Sequence, residues 1–397
     1  MSYKYNVSII LVNYNGKKYI DCLFESLKKM KKGNLKFEVV FVDNASSDGS
    51  VDYLKSKEYD KHMDIRIVET GANLGFAGGN NAGVKACEGE YIILLNNDTA
   101  VTEDWLVNLY DFMKNNKDCC MANSKLLFFY DFIKITFATS DKILLKKDIT
   151  INGEKYHIDN KFCKNLLYED ERLVCFGHSE ISIPLINGYA SQELCFDVIE
   201  ASKNSQIKCE GVSMDIQDGE YILKLDEDLV TDKRFSIVQN AGSGVNENYD
   251  GYDLGFGEID SDKFDEAYEI NNGCGASIIM KKQDFVDCGM FDERFFMYYE
   301  DTDLSYRIKA SGKKIMYCPN SVVRHIHTGS STEWSPFFIY HVYRNKLLFI
   351  YKNISKGKFR KFYFKQLLSS YRAKNEMMIK GTKDAKRIIK GEENIHY

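Results

Sequence analysis

The N-terminal part of the chain alternates between short apolar runs and amphipathic stretches. The apolar runs are rich in β-branched residues and too short for buried helices, which predicts strands at Val7–Val12, Phe37–Val42, Ile65–Val68 and Tyr91–Leu95. The intervening stretches predict helices over Lys17–Met30, from Ser46–Asp48 toward Lys57, and near Asn80–Cys87. Buried strands separated by helices indicate an α/β fold with a mostly parallel sheet that helices cover on both faces.

Polar, loop-forming residues follow each predicted strand. They lie at Asn13–Asn15, Asp43–Ser47, Gly71–Gly79 and Asn96–Thr99. In such sheets, ligands bind beyond the carboxyl ends of the strands. The pattern therefore predicts a binding site at this edge of the sheet.

The pattern changes to period two between about Phe128 and Ser236. Apolar and polar positions alternate in Val212–Ile216 and Tyr221–Leu225, which indicates a β-rich, sandwich-like or similar antiparallel module. The chain after Asn271 returns to the chemistry of the first part, so we interpret this module as an insertion. The expected division is 1–127 and 238–335 for the α/β domain, 128–237 for the insertion and 336–397 for a helical, basic C-terminal segment.

Composition and charge exclude several classes of protein. The 397 residues carry 53 Lys and Arg against 58 Asp and Glu, a net charge of −5, whereas a nucleic-acid-binding protein normally has a positive excess. The 11 Cys include no C-x-x-C pair, which predicts neither a zinc site nor a disulfide framework and favours the reducing cytoplasm. The sequence shows no signal peptide and no apolar run of about 18 residues, so we expect no membrane span.

Asp43 lies in the first candidate site segment, Val42–Ser50, directly after the second predicted strand. An Asp at the end of a strand can accept hydrogen bonds from a ribose or from the N–H of a base. The alternative is a capped turn in which Asp43 binds only backbone N–H groups.

A second segment, Gly71–Gly83, fits neither the P-loop nor the dinucleotide fingerprint. Its glycines would let the backbone approach a ligand closely, or form a turn into a tightly packed helix.

The carboxylates of two further segments are candidates for metal binding and catalysis. Asp98, with the amide of Asn96 beside it, can ligate Mg²⁺ or Mn²⁺, or can instead cap the helix expected near Glu103. Glu300 and Asp301 begin a predicted helix, where one of them can act as a general base or merely complement the helix dipole. Two histidines, His325 and His327, lie downstream in Arg324–Ser331. Each can complete a metal shell or be structural.

Taken in order, these segments resemble the family-two glycosyltransferases, which have the GT-A fold, and most of all the bacterial branch described as rhamnosyltransferases. The resemblance covers roughly residues 5–125 and 240–335. The matching segments are Val12–Gly16, Val42–Ser50, Asn73–Gly83, Leu94–Thr99, Gly275–Ala276, Phe291–Arg307 and His325–Ser331.

The resemblance implies a role for each matching residue. Asp301 of the Glu300–Asp301 pair is the implied catalytic base. Asn96-Asn97-Asp98 takes the position of the D-x-D signature, so that the implied metal ligands are Asn96, Asp98 and His325, with His327 as the fallback. The implied donor-binding residues are Asn13, Asp43, Asn73, Gly75, Gly78 and Asn97. Asn96 departs from the signature, and one fewer negative charge should weaken metal binding.

The implied reaction is an inverting transfer of rhamnose or another hexose from a nucleoside diphosphate sugar. The expected donor is a dTDP- or UDP-sugar, and the expected acceptor is a hydroxyl of a cell-surface glycan, free or lipid-linked. General base catalysis by Asp301 and attack opposite the leaving group agree with this reaction. The alternatives are a non-catalytic glycan-binding protein and a sugar-1-phosphate nucleotidyltransferase. The latter needs a Gly-rich loop with Arg or Lys directly after the first strand, and Asn13–Lys18 fits this requirement poorly.

The C-terminal segment suggests a further partner. Lys352–Lys390 holds thirteen Lys or Arg against Glu376 and Asp384, with interleaved aromatic residues, namely Phe359, Phe362, Tyr363 and Phe364. Such a segment can lie on an anionic membrane surface, which predicts a cytoplasmic protein with peripheral contact to the inner face of the membrane. A solvated basic helix or an oligomer contact is the alternative.

Overall fold

The computed structural model describes residues 3–169, 171–186, 188, 190–209, 211–326 and 334–392. The chain forms two compact units. The first comprises Met1–Phe129, Gln239–Phe256 and Ser261–Tyr397, and the second comprises Tyr130–Val238 and Gly257–Asp260. The C-terminal helices thus belong to the first unit.

The first unit begins with alternating strands and helices. These elements are β1 (Tyr5–Asn13), α1 (Ile20–Lys29), β2 (Phe37–Asp43), α2 (Ser50–Ser56), β3 (Asp64–Glu69), α3 (Gly75–Ala86), β4 (Gly89–Asn96), β5 (Thr99–Val101), α4 (Trp105–Asn115) and β6 (Cys119–Phe128).

The second unit is a sheet in which every described strand pair is antiparallel. Its elements are β7 (Phe132–Lys146), β8 (Asp148–Ile151), β9 (Glu154–His157), β10 (Cys163–Tyr168), β11 (Arg172–Pro184), β12 (Gln192–Ala201), β13 (Ser205–Cys209), β14 (Val212–Ile216), β15 (Gly219–Leu225) and α5 (Glu227–Lys233). The alternation of the sequence places Ile216, Leu223 and Leu225 in the core of this unit and leaves their neighbours exposed.

The chain then continues with β16 (Val238–Asn240), β17 (Ser243–Val245), β18 (Gly251–Asp253), β19 (Ser277–Lys281), α6 (Lys282–Asp287), α7 (Glu300–Ala310), β20 (Lys314–His325), α8 (Pro336–Phe349), α9 (Lys356–Arg372) and α10 (Glu376–Ile389). Side-chain caps define where the last three helices begin. Ser335, Ser355 and Asn375 each accept a hydrogen bond from the backbone N–H three residues ahead. Among the described residues, none of the helices combines the length and apolar composition that a membrane span requires.

The main sheet of the first unit runs in the order β3-β2-β1-β4-β19-β6-β20-β5. β1 pairs in parallel with β2 and β4, whereas β19 is antiparallel to β4 and β6. This mixed α/β sheet, together with the β-rich unit and the C-terminal helices, confirms the predicted fold class. The register pairs Asn13 with Asp43 and Val12 with Asn96, so the polar residues after these strands meet at one edge.

The glycine-rich segment forms more helix than the sequence predicts. α3 begins at Gly75, whereas the helical pattern suggests a start near Asn80. The glycines allow this helix to lie close to the sheet, because a Cβ on Gly83 would be 2.4 Å from Cγ2 of Ile10 and one on Gly79 would be 2.7 Å from Cγ1 of Val12. Close packing therefore explains these two glycines.

Candidate functional site

Asn13 joins two of the predicted segments at the end of β1. Its buried amide donates to Oδ1 of Asp43 (3.3 Å) and to Oγ of Ser46 (3.0 Å), and its own Oδ1 accepts a hydrogen bond from Nδ2 of Asn97 (3.0 Å). The other oxygen of Asp43 accepts from the Ser46 N–H (3.0 Å). Asp43 therefore forms the capped turn that the sequence left as an alternative, and it does so next to Asn13 and Asn97.

Asn73 and Gly75 are held by Asn44, which sequence analysis did not single out. Nδ2 of Asn44 donates to Oδ1 of Asn73 and to the carbonyl of Gly75, both at 3.0 Å. Gly75 has a φ of 69°, and a Cβ there would be 2.4 Å from the carbonyl oxygen of Phe296. A Cβ on Gly78 would be 2.7 Å from Cβ of Leu74. These two glycines thus permit close backbone packing at the start of α3.

His325 lies beside Asp98 and Asn96. β20 pairs antiparallel with β5, which sets His325 opposite Thr99. Nε2 of His325 is 3.2 Å from Oδ1 of Asp98 and 3.2 Å from Nδ2 of Asn96. His327, the fallback ligand, lies outside the described residues.

The hydrogen bonds of His325 indicate which of its nitrogens carries a proton. Nδ1 lies 2.7 Å from Oε1 of Gln239, and this contact needs a proton on Nδ1. In a neutral ring Nε2 then has a lone pair, which can accept a hydrogen bond from Nδ2 of Asn96 (3.2 Å) and lies beside Oδ1 of Asp98. That oxygen is buried and accepts no hydrogen bond. A cation near Nε2 and this oxygen would give the carboxylate the partner that it lacks.

These two atoms fit a divalent cation that is also held by a ligand. No group of three or more His, Cys, Asp or Glu side chains suited to a metal ion occurs in the described part of the chain. Mg²⁺ in proteins is commonly bound by one or two carboxylates together with substrate phosphates and water. Gln239 supplies the outer hydrogen bond that orients a ligating His. Asp98 and His325 therefore suit a cation that arrives with a diphosphate.

Gly275 and Ala276 connect this pair to the predicted base. The N–H of Gly275 donates to Oδ2 of Asp301 (3.1 Å), and the carbonyl of Ala276 accepts from the N–H of Asn96 (3.0 Å). A Cβ on Gly275 would lie 3.7 Å from Oδ2 of Asp301. Two distant parts of the sequence thus meet through consecutive residues of one short segment.

The three carboxylates at the start of α7 have different environments. Asp303 is fully buried, where it pairs with Arg307 and Lys352 and has a structural role. Glu300 is also buried, and its Oε2 has no hydrogen-bond partner. Desolvation raises the pKa of Glu300 well above its usual value, and the nearby charge of Asp301 adds to this effect. Asp301 is half-buried, and desolvation raises its pKa against the opposing backbone hydrogen bonds from Gly275 and Thr302.

A strained loop precedes the Glu300–Asp301 pair. Phe296, Tyr298 and Tyr299 have φ values of 64°, 70° and 71°, which non-glycine residues rarely adopt. The α8 residues Arg344 and Asn345 hold this loop. Nδ2 of Asn345 donates to the carbonyls at 295, 297 and 298 (2.7–2.8 Å), and Nη2 of Arg344 donates to the carbonyls at 294 and 295. Helix α8 therefore supports the catalytic candidates Glu300 and Asp301. Sequence analysis missed this role of α8.

Asp253 is another residue that the sequence did not reveal. Its Oδ1 accepts hydrogen bonds from Nδ2 of Asn240 (2.7 Å) and Oγ of Ser243 (2.8 Å). Although it is open to solvent on one side, desolvation raises the pKa of Asp253, and the charges of Asp301 and His325 both act on it. Asp253 ends β18, a three-residue strand that the sequence does not predict, so no pattern in the sequence indicates it.

Comparison with known proteins finds similarity to glycosyltransferases. The model of the family described as "Glycosyl transferase family 2" matches residues 8–150. A Haemophilus influenzae protein described as an uncharacterized glycosyltransferase is 24% identical over 196 residues, which cover 48% of this chain and 55% of the relative. The poly(ribitol-phosphate) beta-glucosyltransferase of Bacillus spizizenii is 29% identical over 112 residues, 28% of this chain and 18% of that protein. The chain thus spans about half, or less, of the length of these relatives.

Among solved structures, GalNAc-T7 with UDP, GalNAc and Mn²⁺ has a similar fold. The TM-score is 0.53 at 12% identity, and the alignment covers 96% of this chain and 54% of the other. At this identity the similarity concerns the fold. It supports a GT-A architecture for the sheet that carries the site.

Proposed function

We propose that this chain, whose residues 8–150 match the model of glycosyl transferase family 2, transfers a hexosyl group from a nucleoside diphosphate sugar to a hydroxyl of a cell-surface glycan. Rhamnose carried on dTDP and a hexose carried on UDP are the donors to test first. The acceptor is a growing polysaccharide, free or lipid-linked. A lipid-linked acceptor would bring the enzyme to the inner face of the cell membrane.

One observation carries the proposal. Gly275 and Ala276 bind Asp301 on one side and Asn96 on the other, so a candidate base and a candidate diphosphate site share one short segment. A transferase needs this proximity, because the base must reach the acceptor hydroxyl while the leaving group is neutralised nearby. The enzyme relatives and the GT-A-like fold support the same function.

The proposed reaction is a single displacement. Asp301 accepts the proton of the acceptor hydroxyl as its oxygen forms a bond to the anomeric carbon. The bond from that carbon to the diphosphate oxygen breaks on the opposite face, so the configuration inverts and the nucleoside diphosphate leaves. The raised pKa of Asp301 makes its carboxylate a stronger base than an exposed Asp.

Asp98 and His325 would hold a divalent cation, Mg²⁺ or Mn²⁺, and Asn96 would offer a neutral amide beside it. Such a cation neutralises the charge that develops on a diphosphate leaving group. Asn13 and Asn97 fix the orientation of Asp43, to which we assign contacts with the nucleoside. Asn73 lies just before α3, and Gly75 and Gly78 lie in its buried first turn, where the N–H groups of Gly75 and Ala77 already donate to Asn73 and to the carbonyl of Phe296. We assign donor contacts in this segment to the exposed Asn73 and to the close approach that the two glycines permit. We assign the transfer chemistry to the first unit and assign no catalytic role to the β-rich unit.

A donor panel tests the proposal. The purified chain is incubated with dTDP-rhamnose, UDP-glucose, UDP-GlcNAc and GDP-mannose, each with Mg²⁺, with Mn²⁺ or with EDTA, and release of nucleoside diphosphate is measured. We expect turnover with a dTDP- or UDP-sugar that is strongest with a divalent cation. Thermal stabilisation by a donor without any turnover, also after addition of cell-wall glycan acceptors, would favour a glycan-binding protein. Release of pyrophosphate from a nucleoside triphosphate and a sugar 1-phosphate would indicate a nucleotidyltransferase.

A further inference from the structure

Helix α9 has an apolar stripe on its outer face. Phe359, Tyr363, Gln366 and Ser370 are turned inward and are buried. On the opposite face, Phe364, Leu368 and Tyr371 are 65%, 55% and 51% exposed. Their spacing of four and three residues aligns them along one side of the helix. Three large apolar side chains in a row on a solvated helix are unusual and indicate a binding surface.

Positive charge surrounds this stripe. α9 contains six exposed cationic residues and no acidic one, although the chain as a whole carries a charge of −5. The cationic residues are Lys356, Lys358, Arg360, Lys361, Lys365 and Arg372. No ion pair is described for any of these six within the part of the chain that the structure covers. From α10, Lys383 lies 5.5 Å from the ring centre of Tyr371, at one end of the stripe.

The combination of apolar and cationic side chains on this face indicates which kind of partner binds there. A second copy of the chain docked symmetrically on it would bring two sets of six cations together, which is unfavourable. An anionic bilayer offers both a negatively charged surface and an apolar layer directly beneath it. Aliphatic and aromatic side chains insert at the boundary of the acyl chains, while Lys and Arg reach the headgroups through their flexible stems. At 1.5 Å per residue, the helix is about 25 Å long and can lie flat on such a surface.

We propose that the outer face of α9 binds anionic phospholipid membranes peripherally, with Phe364, Leu368 and Tyr371 inserted at the interface. The proposal gives a structural basis to the lipid-linked acceptor of the proposed function. Binding itself requires no transfer activity, so it is tested separately from that function.

The experiment is co-sedimentation of the full chain with vesicles of phosphatidylcholine alone and of phosphatidylcholine with an equal amount of phosphatidylglycerol. We expect binding to the anionic vesicles that weakens as NaCl is raised, because salt screens charge at the surface. Removing three cations as R360Q/K361Q/K365Q should weaken binding about 100-fold, since each basic residue near the surface contributes about a factor of five. The triple variant F364S/L368S/Y371S should reduce it to a similar extent.

Matched controls distinguish binding by this face of α9 from nonspecific binding through exposed apolar side chains elsewhere. The variant L167S/F176S/I222S removes three exposed apolar side chains of the second unit, 56%, 42% and 46% exposed, and should bind vesicles as wild type does. Thermal unfolding of the α9 variants should match wild type, since the substituted side chains are exposed. Equal binding to neutral and anionic vesicles, or unchanged binding by F364S/L368S/Y371S, would overturn the proposal. So would concentration-dependent dimerisation that this variant abolishes, which would assign the stripe to self-association.

Discussion

Nε2 of His325 lies 3.2 Å from Oδ1 of Asp98, across a register that pairs β20 with β5. Oδ1 of Asp98 accepts no hydrogen bond, and the other ring nitrogen of His325, Nδ1, lies 2.7 Å from Oε1 of Gln239. Under the proposed function, this pair holds the cation that accompanies the diphosphate. Its position next to Asn96, which contacts Ala276, ties it to the segment that holds Asp301.

Replacing Asn96 by Asp should strengthen binding of Mn²⁺ in the presence of UDP, because it adds a carboxylate next to Asp98 and His325. Without the metal, N96D should unfold at a lower temperature than wild type, since the new, half-buried carboxylate and the buried carboxylate of Asp98 then repel each other. Titration calorimetry and thermal unfolding with and without Mn²⁺ measure both effects. The control Q239A should instead weaken metal binding about 10–100-fold by releasing His325. Identical Mn²⁺ affinity in all three proteins would exclude this metal site.

Asp301→Asn should lower turnover by about 10²–10⁴-fold, because the amide cannot accept the proton of the acceptor hydroxyl. Donor affinity should remain at the wild-type level, since the substitution keeps the size of the side chain. Initial rates and a donor titration measure the two quantities. The exposed carboxylate of Asp287 provides the control, and D287N should be fully active. Normal turnover by D301N would remove Asp301 as the base.

Glu300→Gln should stabilise the protein near neutral pH. Desolvation raises the pKa of Glu300 in the folded state, so the folded chain holds this proton at pH values where the unfolded chain has released it. Stability of the wild type therefore declines as pH rises above about 4.3, the usual Glu pKa, until the folded-state pKa is passed. The advantage of E300Q should be absent below that range and grow through it. Urea unfolding at a series of pH values measures this, and a constant difference would contradict it.

Asn345→Ala should reduce both stability and turnover. It removes the donor to the carbonyls of Met297 and Tyr298 in the strained loop before Glu300, and each buried carbonyl left without a donor costs about 1–3 kcal/mol. Asn345→Asp keeps the size of the side chain but cannot donate, so it should be at least as harmful. The measurements are urea unfolding and kcat at saturating substrate. A loop that does not depend on α8 would leave kcat of the folded variants unchanged.

Gly83→Ala should destabilise the protein although alanine favours helices. The helix gains about 1 kcal/mol from the substitution. The new Cβ would be 2.4 Å from Ile10 and 2.9 Å from Val42, and overpacking of this kind costs about 1–3 kcal/mol. The control is G357A in α9, where the nearest atom is 3.9 Å away and the helix propensity should stabilise. Urea unfolding of both variants gives the sign of each change.

The order of strands and helices follows from the sequence because it depends on local periodicity. Unbroken apolar runs become β1, β2 and β4, and period-two alternation becomes β14 and β15. The residues after parallel strands meet at one edge because the register of the sheet places them there, as for Asn13 and Asp43. The family resemblance adds the assignments of Asp98, Asp301 and His325, which no periodicity indicates.

Only the tertiary structure determines how distant segments are joined. Gln239, Asp253 and Asn345 follow none of the strands that the sequence predicts. Gln239 contacts His325 and Asn345 contacts the strained loop through packing of elements far apart in the sequence, whereas the pairing of β17 with β18 places Asp253 beside Ser243. The C-terminal segment is a second example of what the tertiary structure determines. Its basic charge is evident from the sequence, but the fold buries Phe359 and Tyr363 and exposes Phe364, because burial depends on which face of α9 meets the rest of the first unit. Local sequence sets which elements form, and long-range contacts set which side chains share a site.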